Sequence, residues 1–187
     1  MTVVYEDNHI IVVNKTASEI VQADKTGDTP LSETVKQYLK EKYQKPGNVF
    51  LGVTHRLDRP VSGLVIFAKT SKALTRLNEM FRNGEVNKTY WAITRNLPPK
   101  EEDTLTHYIT TTERNNKSYA SLTEKKDSQK AVLKYRHIAS TDRYHLLEVN
   151  LLTGRKHQIR VQLSAIGCPI KGCLLYTSPS PRDRSLS

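Results

Sequence analysis

Residues 54–70 read THRLDRPVSGLVIFAKT. The second half is an apolar, β-branched run opened by Gly63 and closed by Lys69, which is the pattern of a strand. The first half connects it to the strand-like VFLGV at 49–53. In that connection Asp58 lies between Arg56 and Arg59, with His55 just ahead. On composition alone, an acid among arginines on a turn is a surface salt bridge. The alternative is chemical. Neighbouring cations keep a carboxylate charged, and an anion already formed at neutral pH suits nucleophilic work.

Working outward, the chain alternates between two periodicities. VVYEDNHIIVVNK (3–15) gives two short strand-like runs around Asp7 and Asn8, a hairpin-like start. DTPLSETVKQYLKEKY (28–43) predicts a helix capped by Thr29, with Pro30 at its first position and Leu31, Val35 and Leu39 as its apolar stripe. SKALTRLNEMFRNG (71–84) predicts a helix capped by Ser71, packed through Leu74, Leu77 and Phe81, and stopped by Gly84. From Lys88 to Leu152 the pattern is of strands: KTYWAIT, LTHYITT, KSYASL, KAVLKYRHIA and YHLLEVNLL, joined by polar stretches. No internal repeat interrupts the order. The predicted class is α+β: a mixed, largely antiparallel sheet with flanking helices.

A second stretch, LLTGRKHQIRVQLSAIG (151–167), predicts a helix after the Thr153–Gly154 turn. Ile159, Leu163 and Ile166 would form its buried stripe, with His157, Arg160 and Ser164 on another face. Arg155 and Lys156 at the entrance oppose the helix dipole, so local stability does not explain them. An external anion would, and a solvated basic face is the plainer alternative.

Composition narrows the classes. The 187 residues suffice for one domain, and 29 Lys plus Arg against 19 Asp plus Glu give a net charge of +10, which favours a polyanionic partner. The two cysteines, Cys168 and Cys173, make no disulfide framework. Their spacing near His157 is half a zinc site at most, so no metal is expected. There is no leader-like start and no run of membrane-spanning length, which predicts a cytoplasmic protein.

HRLDRPVSGLVIFAKT (55–70), TGRKHQIRVQL (153–163) and GCPIKG (167–172), with DNHIIVVNK upstream and NKTYWAI between, closely resemble the RluA-type family of RNA pseudouridine synthases. That family's catalytic motif reads H-R-L-D-x-x-T/V-S-G-L. The resemblance implies a pseudouridine synthase-type catalytic domain over 1–172. It also implies site-specific isomerisation of uridine to pseudouridine in rRNA or tRNA by a monomer, with no cofactor and no membrane. Asp58 falls on the family's catalytic aspartate and Tyr90 on its active-site tyrosine. Arg160 falls on the arginine that acts with the aspartate. His55, Arg56, Arg59, Arg155 and His157 are expected to contact RNA. Whether Asp58 attacks C1′, assists glycal formation or adds to C6 stays open. Two rival readings are an inactive RNA-binding module on the same scaffold and an Asp/His hydrolase, the latter lacking a Ser or Cys nucleophile motif. The chain departs from the family after residue 172. CLLYTSPSPRDRSLS (173–187) has a disordered composition and resembles translated adapter sequence, so a non-native tail and a missing C-terminal part of the domain are expected.

Overall fold

The computed structural model describes residues 1–112 and 117–171. Contacts divide the chain into two units, Met1–Glu85 and Val86–Ser187. In the first, β1 (Thr2–Glu6) and β2 (Ile10–Lys15) form the expected hairpin. Asp7 makes its turn by accepting the His9 and Ile10 N–H groups, both at 2.7 Å. α1 (Leu31–Lys42), β3 (Gly52–Val53), β4 (Gly63–Ala68) and α2 (Ser71–Asn83) follow. The sheet order is β1-β2-β4-β3, with every pair antiparallel. Alternate residues Ile11, Val13, Val65 and Phe67 face the core, where Leu31, Val35 and Leu39 of α1 meet them.

Two caps differ from expectation. Pro30 is the N-cap of α1, not its first helical residue, and no side chain caps this helix. The Leu31 and Ser32 N–H groups instead donate to the Ile20 and Val21 carbonyls at 2.7 and 3.2 Å, so the preceding loop does the work of a cap. On α2 the cap is Thr70, whose hydroxyl accepts from Ala73 N at 3.1 Å, not Ser71. Gly84 ends this helix as expected, left-handed at φ 75°. Leu74, Leu77 and Phe81 are only half-buried, and Ala73 is the buried residue of α2.

The second unit holds β5 (Thr89–Thr94), β6 (Glu102–Thr112), β7 (Lys117–Ser121), β8 (Gln129–Ser140), β9 (His145–Leu151) and α3 (Gln158–Ala165). Its sheet order is β5-β9-β8-β6-β7, again antiparallel throughout. Ala92, Leu105, Leu133, Tyr135, Leu147 and Val149 form its core with Leu163 of α3. The predicted stripe of α3 meets the core, with Leu163 inside the cluster and Ile159 and Ile166 packed against it, although Ile166 is the C-cap and not within the helix. Gln158, Val161 and Gln162 are buried as well, which the stripe did not include. The i, i+3, i+4 spacing of 158, 161 and 162 is the helical one, and two of these three residues are polar. Among the described residues no helix is long and apolar enough to cross a membrane. The tail call at 173–187 lies outside the described residues.

Candidate active site

The connection between β3 and β4 carries His55, Arg56, Asp58 and Arg59 together, and it is braced along its length. Thr54 Oγ1 donates to Ile66 O at 2.6 Å. His55 Nε2 accepts from Ile66 N at 3.0 Å, which leaves the ring proton on Nδ1, and the ring packs on Phe81 at 5.1 Å between centroids. Leu57 packs against the core. Asp58 O accepts from Val61 N at 3.0 Å, closing a turn, and Arg59 O accepts from Ser18 N at 2.8 Å. Asp58 itself is half-buried. Gly63 holds φ 141°, a conformation side chains rarely adopt, where the loop enters β4.

The two arginines diverge. Arg56 is exposed. Arg59 donates to Asp28 at 2.7 Å and Thr26 at 2.8 Å, with Asp24 at 3.8 Å, tying the loop to residues 24–28. Hydrogen bonds from Thr26, with Arg59 beside it, hold the Asp24 carboxyl below its ordinary value.

Sequence reasoning missed one support of this loop. Lys15, the last residue of β2, is 0% exposed. Its ammonium donates to Val61 O at 2.5 Å, Thr16 O at 3.0 Å and Arg59 O at 3.1 Å. Burial pushes its pKa down, while the charges of Glu19 and Asp58 push it up. The signal was present in IIVVNK: period-two parity puts residues 11, 13 and 15 on one face.

In the second unit, Tyr90 of β5 is half-buried, pairs with Val149 and packs against the core cluster. The 153–160 segment gathers Arg155, His157 and Arg160. Gln158, 2% exposed, organises it. Its Oε1 accepts from Thr153 Oγ1 at 2.8 Å and Arg155 N at 2.9 Å, and its Nε2 donates to Val132 O at 3.1 Å. His157 is the N-cap of α3 in a left-handed conformation, φ 55°. Arg155 is exposed, its Nε donating to Lys130 O at 3.0 Å, and Arg160 is half-buried. One turn further on, Gln162 Nε2 lies 3.1–3.2 Å from Leu105 O, His107 Nδ1 and Ala131 O. Burial pushes the His107 pKa down, which favours the neutral ring that accepts this bond. Both glutamines escaped the sequence reading because a polar residue inside a helical pattern is ordinarily assigned to the solvent side.

Residues 9–165 match the family model described as RNA pseudouridylate synthase. The chain belongs to that family. The chain is 34% identical over 183 residues to the tRNA pseudouridine synthase C of Vibrio cholerae, spanning 92% of this chain and 72% of that protein. It is 32% identical over 170 residues to the ribosomal large subunit pseudouridine synthase C of Rickettsia prowazekii, spanning 90% of this chain and 54% of that one. Among solved structures, human RNA pseudouridylate synthase domain containing 4 superposes with a TM-score of 0.81 at 26% identity, over 96% of this chain and 70% of that chain. The RluA-type resemblance and the α+β expectation are thereby borne out.

Proposed function

We propose that this chain isomerises a specific uridine to pseudouridine in structured rRNA or tRNA, with Asp58 as the catalytic carboxylate. In the reaction the N1–C1′ bond breaks, the flipped uracil turns, and C5 bonds to C1′. C5 loses a proton and N1 gains one, so no redox partner or group donor is needed. The protein acts as a cytoplasmic monomer without a cofactor. Tyr90 stacks on the flipped base and presents its hydroxyl for removal of the C5 proton. Arg160 acts with the carboxylate, and Arg56, Arg155 and His157 contact the RNA backbone. His55 and Arg59, already bonded to Ile66 N and Asp28, serve the RNA by shaping the loop that carries Asp58.

The observation that carries this reading is the bracing of the Asp58 loop. Side-chain and backbone bonds hold the residues on both sides of the acid, a preorganised mount for one carboxylate. The test is Asp58→Asn, assayed by tritium release from uridine-labelled RNA. Binding should persist while product formation falls by about ten-thousand-fold or more, as when other enzymes lose a covalent nucleophile. Near-wild-type turnover would refute the assignment. RNA binding by the unaltered chain without any product would favour the inactive binding module.

A further inference from the structure

β8 and β9 send alternate residues to the core of the second unit, Leu133 and Tyr135 from one strand and Leu147 and Val149 from the other. Period-two parity ends both rows in histidine, His137 on β8 and His145 on β9, where the core gives out and both residues are only half-buried. Between His137 and Ala139 the register shifts by one residue, so that Ser140, and not Ala139, faces His145. A bulge of this kind re-aims side chains. Here it gathers three of them. The two rings meet edge to face with 5.7 Å between centroids, and His137 Nε2 and His145 Nδ1 each lie 2.8 Å from Ser140 Oγ. A hydroxyl has one proton to give, so it donates to one ring and accepts from the other, and the two imidazoles converge on a single point. No third His, Cys, Asp or Glu completes a larger cluster among the described residues, so an oxygen-seeking cation such as Mg2+ or Ca2+ finds no carboxylate there.

We propose that His137 and His145 form a two-imidazole site for a divalent transition-metal ion of the nitrogen-preferring kind, copper, nickel or zinc. The ion takes the point that Ser140 Oγ holds, one ring bonding it through Nε2 and the other through Nδ1, and water completes the coordination. The ring that donates to Ser140 moves its proton to its other nitrogen, so both imidazoles stay neutral and bind through a lone pair. The ion would tie β8 to β9 beside their connecting turn, which Thr141 N closes by donating to Tyr144 O at 2.8 Å. It takes no part in uridine isomerisation, and the proposal is independent of the reading of Asp58.

Calorimetric titration of the untagged chain with Zn2+ should show one saturable site per chain, and Zn2+ should raise Tm, since the paired rings exist only in the folded state. Mg2+ should do neither. His137→Ala and His145→Ala should each weaken Zn2+ binding about tenfold or more, because losing even a group that only supports a ligand costs a metal site about 10–100-fold. His9→Ala, at an exposed histidine outside this cluster, should leave the affinity unchanged. Ser140→Ala removes the hydroxyl but neither ligand, so binding should hold within a few-fold or tighten. Cu2+ on the unaltered chain should give an electron paramagnetic resonance spectrum split by two imidazole nitrogens, a measurement that no variant's folding can spoil. A spectrum with one nitrogen or none, no saturable Zn2+ binding, or binding indifferent to both alanine variants would each overturn the proposal and leave the three residues a surface hydrogen-bond network.

Discussion

Arg56 and Arg59 flank one carboxylate in the sequence yet meet different surroundings. A phosphate reaching Arg59 competes with Asp28 for Nη2, whereas exposed Arg56 pairs with no carboxylate among the described residues. Arg155 is exposed, with its Nε bonded to Lys130 O. Arg155→Ala is therefore expected to weaken RNA binding about equally across sequences and to lower the salt slope by roughly one phosphate contact, measured by titration at several ionic strengths. An unchanged slope would make Arg155 a solvated surface cation. Tyr90 allows a finer division of roles. Tyr90→Phe keeps the stacking ring and should bind RNA normally while turning over more slowly, and Tyr90→Ala should lose both. Equal behaviour of the two variants in binding and rate would leave the hydroxyl without a role.

The helices and strands show what was legible and what was not. Strands after residue 86 stood out as runs rich in β-branched and aromatic residues between polar stretches, and in β6, β8 and β9 their buried residues recur at every second position. The helix caps were misplaced by a residue at α1 and α2, since Thr29, Thr70 and Ser71 all satisfy the compositional rule, Pro30 does not, and backbone geometry puts the caps at Pro30 and Thr70. The motif residues of the Asp58 loop were legible as types, but their supports were not. Lys15 and Gln158 act through backbone carbonyls and N–H groups, which leave no mark on the amino-acid pattern. Removal of such a support has a measurable cost. Gln158→Ala leaves a hydroxyl, an N–H and a carbonyl to find new partners, so about 1–3 kcal/mol of stability should be lost by urea unfolding. Thr70→Ala should cost about 1 kcal/mol by the same measurement, through loss of the Ala73 cap bond.

For the molecule as a whole, a surplus of ten positive charges favours RNA association, while the folded state keeps its acids in specific service. Glu6 is the clearest case, its side chain 7% exposed. Burial alone would raise its pKa, but hydrogen bonds from Lys42, Lys69 and Tyr43 lower it to about 2. A carboxyl depressed on folding contributes stability that is complete above its unfolded pKa and is lost as pH falls through the folded one. Stability should accordingly drop between about pH 4.5 and 2, by something on the order of 2–3 kcal/mol from this group. Urea midpoints across that window should fall steeply for the unaltered chain and less for Glu6→Gln, which would already be weakened at pH 7. Parallel curves would show that Glu6 titrates alike folded and unfolded.

The strand order of the second sheet also sets a timetable. β5 is made first but its partner in the sheet is β9, and Thr89 meets Asn150 across 61 residues of chain. At about 5–20 residues per second, a growing chain leaves β5 waiting roughly 3–12 s on the ribosome before that partner exists. Trp91 and Ile93, 72% and 47% exposed even once the sheet is complete, are uncovered throughout that wait. The β1–β2 hairpin needs no such delay. During synthesis β5 is therefore the segment most open to capture by a chaperone, and slowing translation should lengthen its exposure in proportion.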